Sequence, residues 1–173
     1  RPVGAPHLLA GYGFSGKTLA PEDYESVPVT SEDFASVLIQ MGDRTRGAFT
    51  ASQVSAGRKN RLNIEIFGSK CGVGWDQERP DELWIGNRNT NNQIIVKDPS
   101  LLKAGAQPFA DLPGGHSEGY DDTFKQVFRR FYGSIQDFRM EPQYPQFADG
   151  LRQLNVLDAE LASHASRAWT NVR

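Results

Sequence analysis

The stretch RLNIEIFGSKCGVGWD (61–76) decides the fold of this chain. In its first half the side chains alternate, which places Leu62, Ile64 and Ile66 on one side of the backbone. A period of two residues is typical of a β-strand. The glycine that follows favours a turn into a second short strand, CGVGWD. The stretch therefore predicts two antiparallel neighbours.

Further β-favouring runs flank this pair on both sides. They are DFASVLIQ (33–40), GAFTASQVS (47–55), ELWIG (82–86) and QIIVK (93–97). Short strands joined by short turns, with no helix between them, favour an antiparallel meander over βαβ units. Residues 1–30 are rich in Gly and Pro and show no sustained period, which predicts an irregular arm. We therefore expect this arm to be followed by one α+β domain over 31–173.

The apolar period changes downstream of the strands. SEGYDDTFKQVFRRFYGSI (117–135) carries its apolar residues on one helical face, with Ser117 as the predicted N-cap. A second helix is predicted within 144–165, with Pro145 in its first turn. WTNV (169–172) is predicted to return as an edge strand. The expected fold is α+β: an open, mostly antiparallel sheet with helices packed on one face and no Rossmann domain.

Composition and charge exclude several classes of protein. The 173 residues carry a net charge of -2, which argues against a dedicated binder of nucleic acid or of anionic membranes. No apolar run reaches membrane-spanning length. Cys71 is the single cysteine, so neither an intrachain disulfide nor a cysteine-based zinc site is expected. A reducing, cytoplasmic setting fits this cysteine usage.

GYGFSGKT (11–18) matches the phosphate-loop pattern G-x-x-x-x-G-K-[ST]. Such a loop binds phosphate only when a buried strand precedes it and a helix follows it. Here Pro21 and Pro28 leave little room for a following helix. We therefore predict that Lys17 binds no nucleotide phosphate and that this stretch belongs to the arm.

The stretch LPGGHSEGYDD (112–122) is the strongest candidate for a binding site. Its proline and paired glycines hold His116 at the mouth of the first predicted helix. An imidazole there can hydrogen-bond a ligand. The alternative is a structural role, in which His116 caps the helix and bonds a loop to the sheet. The three histidines are scattered, so no metal site is expected.

A second group of polar residues surrounds a predicted strand end in SQVSAGRKNR (52–61). Its members are Gln53, Arg58, Lys59, Asn60 and Arg61. They could hold a polyol or an anion, or form a solvated strand edge protected by charge. Trp75, Trp84 and Tyr120 could each stack on a sugar ring or pack in the core.

Three stretches of the sequence carry a family resemblance over about residues 30 to 173. They are GRKNRLNIEIFGSKCGVGWD (57–76), PGGHSEG (113–119) and PQFADGLR (145–152). Together they resemble the C-terminal domain of the glucose–fructose oxidoreductase/inositol dehydrogenase (Gfo/Idh/MocA) family. Proteins of that family join an N-terminal Rossmann domain, which binds NAD(P), to an α/β domain that walls the substrate site and builds oligomers.

The resemblance implies a substrate class and a division of labour. The family acts on sugars, cyclitols and related polyols, with a catalytic Lys in a Glu-Lys-Pro motif and an H-x-x-x-D pair. This sequence contains neither motif and no G-x-G-x-x-G that follows a predicted strand. The resemblance thus implies no catalytic, cofactor-binding or metal-binding residue here, with NAD or NADP held elsewhere in a full-length parent. The chain is expected to begin just after the H-x-x-x-D helix and to be inactive alone.

The function predicted from the sequence is that of a substrate-binding and oligomerisation domain of an NAD(P)-dependent oxidoreductase. Its candidate substrate-binding residues are His116, Arg58, Lys59, Asn60, Gln53 and Tyr120. The expected partners are a polyol and a second copy joined through the sheet face. The alternative is a stand-alone, non-catalytic binding or scaffold module with the same fold.

Overall fold

The computed structural model describes Pro28 and residues 31–58, 60–139 and 141–173. The chain divides into two compact units, the first ending at Asn60 and the second beginning at Arg61. Antiparallel strands occur in both units, and two helices follow the strands in the second. The α+β class predicted from the sequence is confirmed. The phosphate-loop-like stretch at 11–18 lies outside the described residues, so its rejection stays a prediction.

The first unit contains one β-hairpin. Strand β1 (Phe34–Met41) pairs with β2 (Thr45–Ser52), with Phe34 opposite Ser52 and Met41 opposite Thr45. Gly42 lies in the turn with a φ of +59°, a left-handed conformation that glycine adopts without steric cost.

The second unit contains a four-stranded antiparallel meander. Its strands are β3 (Asn63–Phe67), β4 (Cys71–Asp76), β5 (Glu82–Asn87) and β6 (Gln93–Val96). Each strand pairs with the next one along the chain. The described strands thus form sheets of two and four strands, where the sequence predicted one open sheet. The turn around Gly57, which has a φ of +84°, interrupts the extended backbone between β2 and β3.

The register gives the four-stranded sheet one apolar face. Residues that pair across antiparallel strands point to the same side. On one side they are Ile64, Ile66, Val73, Trp75, Leu83, Ile85 and Ile95, with Gln93 at the edge. The other side is mixed and carries Glu65, Phe67, Trp84, Ile94, Val96 and three glycines.

The three glycines lie close to the aromatic rings of Trp84 and Phe67. A Cβ added to Gly74 would lie 3.4 Å from Cε3 of the indole, and one added to Gly86 would collide with its Cη2. A Cβ on Gly72 would lie 2.8 Å from Cδ1 of Phe67. Glycine is therefore needed where the two rings approach the backbone.

Two single 3-10 turns and two helices follow the sheet. The turns are Pro99–Leu101 and Gln107–Phe109, and the helices are α1 (Tyr120–Gln136) and α2 (Phe147–Ser166). Both helices start close to the predicted positions. No helix in the described part of the chain combines the length and the apolarity that a membrane crossing needs.

The predicted N-cap of α1 is wrong. Gly119, not Ser117, is the N-cap, and its N–H donates to Asp122 Oδ2 at 2.8 Å. The hydroxyl of Ser117 hydrogen-bonds Asp81 instead. Ser117 lies two residues before this N-cap and is therefore not in the capping position.

Two expectations about α2 and the chain end are also corrected. Gln146 is the N-cap of α2, so Pro145 lies just outside the helix rather than in its first turn. The described residues 169–172 form no strand. Instead the end of the chain returns along α2, where Asn155 Nδ2 donates to the carbonyl oxygen of Arg173 at 3.2 Å.

Much apolar surface stays accessible in the described residues. Only Gly72 and Ala159 among them are buried. The exposed apolar stripe of α1 comprises Tyr120, Phe124, Val127, Phe128, Phe131 and Ile135. That of α2 comprises Phe147, Leu151, Leu154, Leu157 and Leu161.

Candidate functional site

The candidate site is the loop of residues 111–119, which leads into α1. At its tip the N–H of His116 donates to the carbonyl oxygen of Pro113 at 3.2 Å and closes a tight turn. Gly115, the third residue of this turn, has a φ of +81°. A turn with positive φ at its third position favours glycine there. The Pro-Gly-Gly-His sequence therefore builds this tip locally.

His116 presents an exposed ring from a fixed backbone. Its carbonyl oxygen accepts a hydrogen bond of 2.9 Å from Lys97 Nζ, while its N–H is held by Pro113. The ring itself is exposed, with Nδ1 3.4 Å from the carbonyl oxygen of Gly114. The imidazole is thus available to a ligand, although its backbone is held on both sides.

A cluster of three charged side chains lies beneath the loop; we call Asp81, Lys97 and Glu118 the charge cluster. Lys97 Nζ lies 2.5 Å from Glu118 Oε2 and 3.4 Å from Asp81 Oδ1. The exposed fractions of the side chains are only 13% for Lys97, 19% for Asp81 and 7% for Glu118. The backbone N–H of Lys97 donates to the carbonyl oxygen of Asp81 at 2.8 Å, so the β5–β6 pairing brings two of the members together.

The two carboxylates of the charge cluster also bind the backbone of the loop. Glu118 Oε1 accepts the N–H of Asp111 at 2.7 Å, and the N–H of Leu112 is a further donor. Asp81 Oδ1 accepts the N–H of Glu118 at 3.4 Å. The loop is therefore closed at both ends by the charges that surround Lys97.

The pKa values in the charge cluster favour the ionised forms. Burial works to raise the pKa of Glu118, but the hydrogen bonds from Lys97 and from the loop backbone outweigh it and lower the pKa. For Asp81 burial is likewise outweighed by the hydrogen bonds from Ser117, Glu118 and Lys97, and its pKa is lowered. The pKa of Lys97 is raised, because its bonds to the carboxylates outweigh burial.

Tyr120 is the first residue of α1 and belongs to the same segment as His116. Its ring is exposed and meets that of Phe124 edge to face, with 5.2 Å between centroids. Stacking of Tyr120 on a sugar ring stays a prediction.

The other predicted residues lie in the first unit. Gln53 and Arg58 are exposed, and their backbone N–H groups donate to Asp33 and Ser55. Asn60 is also exposed. Lys59 lies outside the described residues. His116 and Tyr120 therefore lie in the second unit, and the other candidate residues belong to the first.

Sequence reasoning missed Asp81 and Lys97. The available signal was their position, because Asp81 stands just before β5 and Lys97 just after β6. Antiparallel neighbours bring such positions together. A lysine and an acid at adjoining strand ends could therefore have been paired.

Two other features of the described residues offer no competing site. No cluster of three or more His, Cys, Asp or Glu side chains in the described ranges could hold a metal ion. A shallow concavity of about 390 Å³ lies at the opposite strand ends, between the β3–β4 and β5–β6 turns. Arg88 there donates to the carbonyl oxygen of Ser69 at 2.7 Å, so its guanidinium already supports the turns.

An α+β domain with antiparallel sheets is similar to domains found in the Gfo/Idh/MocA oxidoreductases. The comparisons with known proteins confirm the resemblance to this family that the sequence indicates. No family model matches the chain.

Two curated relatives are oxidoreductases. The chain is 27% identical over 134 residues to the uncharacterized oxidoreductase YfiI of Bacillus subtilis, covering 73% of this chain and 34% of that protein. It is 25% identical over 155 residues to the levoglucosan dehydrogenase of Pseudarthrobacter phenanthrenivorans, covering 84% of this chain and 37% of that protein. The chain therefore spans about a third of the length of these relatives.

Solved structures agree with the fold. A crystal structure of an oxidoreductase domain protein from Kribbella flavida superposes with a TM-score of 0.73 at 28% identity, covering 97% of this chain and 42% of that one. A levoglucosan dehydrogenase in complex with NADH and levoglucosan has a TM-score of 0.74 at 22% identity, covering 84% of this chain and 40% of that one. At that identity the second likeness shows the fold alone.

Proposed function

We propose that this chain is the C-terminal substrate-binding and oligomerisation domain of an NAD(P)-dependent oxidoreductase acting on a sugar, cyclitol or related polyol. The observation that carries the proposal is the exposed imidazole of His116 on a backbone held by Pro113 and Lys97. The oxidoreductase names of the relatives, one of which is a levoglucosan dehydrogenase, support it.

The chemistry of the loop suits a hydroxyl-bearing ligand. A neutral imidazole offers one donor and one acceptor, and a hydroxyl group can bond either. The exposed ring of Tyr120 offers an apolar surface to the C–H groups of a sugar ring. Gln53, Arg58, Lys59 and Asn60 remain candidates for further polar contacts.

The nicotinamide belongs to another domain in this proposal, because the sequence has no Glu-Lys-Pro motif and no G-x-G-x-x-G that follows a predicted strand. The part played by this chain is to hold the reacting carbon in place while the cofactor exchanges a hydride with it. The chain alone is then expected neither to bind NAD(P) tightly nor to reduce it. A reducing, cytoplasmic setting stays part of the proposal, on the strength of the single cysteine.

The test replaces His116 by alanine in a polypeptide that joins this chain to its dinucleotide-binding domain. We expect kcat/KM for the polyol to fall, which corresponds to a loss of about 1–3 kcal/mol of transition-state binding energy. The Kd for NAD(P)H should hardly change. His164→Ala is the matched control, because His164 is an exposed histidine in the last turn of α2.

Two outcomes would contradict the proposal. A His116→Ala variant that loses thermal stability but keeps its kcat/KM would assign His116 a structural role. A polypeptide with no NAD(P)-dependent turnover on any polyol would favour the alternative of a non-catalytic binding module.

A further inference from the structure

The Lys97 ammonium has three partners in and around the loop. They are Glu118 Oε2 at 2.5 Å, the His116 carbonyl oxygen at 2.9 Å and Asp81 Oδ1 at 3.4 Å. The first two accept hydrogen bonds from Nζ, and the third forms an ion pair with it. Lys97 therefore joins the sheet to the backbone of the residue that bears the candidate binding group.

The burial of the charge cluster distinguishes it from an ordinary surface ion pair. The side chains of Lys97 and Glu118 are 13% and 7% exposed, whereas those of Arg139 and Asp137 are 91% and 51% exposed. Exposed pairs contribute little, because water screens the charges and the side chains remain free. A shielded lysine with three partners instead holds one geometry.

We propose that Lys97 is the positioning residue for His116. This inference rests on the proposed function and names the group that sets the geometry of the same site. Lys97 holds the His116 carbonyl directly, and through Glu118 it holds the base of the loop at Asp111. The backbone of His116 is then fixed, and only the side-chain torsions of the imidazole remain to be set when a ligand binds.

Fixing the backbone matters because a displacement of about 1 Å in a positioning group can cost on the order of a hundredfold in rate. Asp81 and Glu118 carry one negative charge more than Lys97 neutralises, so loss of the ammonium would leave two shielded carboxylates facing each other. The loop should then open, and the orientation of the ring should be lost with it.

The experiment uses NMR on the isotope-labelled chain with Lys97→Met and the matched control Lys103→Met. Lys103 is exposed in the same connection between β6 and α1 and lies outside the charge cluster. Two quantities are measured: the backbone order parameter of His116 without ligand, and the Kd for levoglucosan, myo-inositol and L-sorbose from shifts of the His116 ring signals.

We expect Lys97→Met to lower the order parameter of His116 and to weaken polyol binding by about tenfold or more, with Lys103→Met unchanged. Should Lys97→Met fail to fold, the double variant Lys97→Met/Glu118→Gln removes one charge of each sign and serves for the same measurements.

The outcomes separate the inference from the proposed function. An unchanged order parameter, or a lowered one with an unchanged Kd, would overturn the positioning role while polyol binding stands. A wild-type chain whose His116 signals respond to none of the polyols would overturn the proposed function, and the positioning role with it.

Discussion

The indole of Trp84 excludes a side chain at position 86 and lies close to two further glycines. Gly72, Gly74 and Gly86 lie beneath or beside it on the same face of the sheet. These glycines allow an aromatic ring to lie close to the backbone. None of them has a positive φ, since each belongs to an extended strand. The contact explains why β4 and β5 tolerate residues that otherwise weaken a strand.

Replacing Gly86 by alanine should lower the free energy of unfolding by about 1–3 kcal/mol, because the new methyl group collides with the indole. Gly150→Ala is the control. Gly150 lies in α2 with no atom within 4 Å of an added Cβ, so alanine there should raise stability by about 0.5–1 kcal/mol. Urea denaturation followed by tryptophan fluorescence measures both. Equal stability of Gly86→Ala and the wild type would refute the close contact.

The connection between β6 and α1 is organised by charge rather than by an apolar core. Besides the charge cluster, Asp111 lies 2.9 Å from Arg129 and 3.0 Å from Lys125 of α1. The carboxyl pKa of Asp111 is lowered by its hydrogen bonds to Arg129 and Lys125. The loop that carries His116 is thus joined to β5 and β6 by one set of ionic contacts and to α1 by another.

The stability of this connection should depend on pH through Glu118. Its pKa is lowered on folding, so its contribution is complete above the unfolded value of about 4.5 and is lost as pH falls through the folded value. The pKa of Lys97 is raised, so its contribution is complete below 10.5 and is lost only as pH rises through the folded value. Between these limits the contribution of the two groups to the free energy of unfolding should not change with pH.

Glu118→Gln should therefore destabilise the chain by about 1–3 kcal/mol near neutral pH. It should also reduce the loss of stability below about pH 4.5, because one carboxylate no longer titrates. Urea denaturation at several pH values measures both effects. Asp137→Asn is the control, since Asp137 pairs with Arg139 at the exposed surface and should change the profile little. If Glu118→Gln loses as much stability at low pH as the wild type does, Glu118 is not the group responsible for that loss.

On the scale of the whole molecule, the described residues expose large apolar surfaces on the sheet and on both helices. Contiguous apolar patches of this kind mark surfaces that another protein surface covers. The apolar face of the four-stranded sheet includes Ile64 and Ile66, which are 54% and 59% exposed. We therefore maintain the proposal that a second copy of the chain packs against this face.

Ile66→Lys should shift the chain from a dimer or larger species toward the monomer in sedimentation at tens of micromolar, because a charge would be buried at the interface. Glu65→Lys is the matched control, since its neighbouring position places the lysine on the opposite face of β3. A wild-type monomer would contradict the assembly. Dissociation by Glu65→Lys alone would assign the interface to the face that carries Trp84.

The candidate site was only partly predictable from the sequence. Pro113, the paired glycines and the helix that follows placed His116 at an exposed turn, because turn chemistry is local. The role of Ser117 was mispredicted because a hydroxyl next to a helix start can cap it or bond any acceptor nearby. The acceptor was Asp81, which local sequence around Ser117 does not contain.

The sequence by itself determined the elements: side-chain period distinguishes strand from helix over a few residues, and glycine and proline mark the turns. Only the tertiary structure decided what those elements bring together. Asp81 meets Lys97 because β5 and β6 are adjacent, and Glu118, 37 positions after Asp81, joins them from the loop before α1. The tertiary structure also decided that the strands divide between two sheets and that the chain end follows α2. Local pattern specifies backbone conformation, whereas pairing depends on competition among all the partners that the folded chain offers.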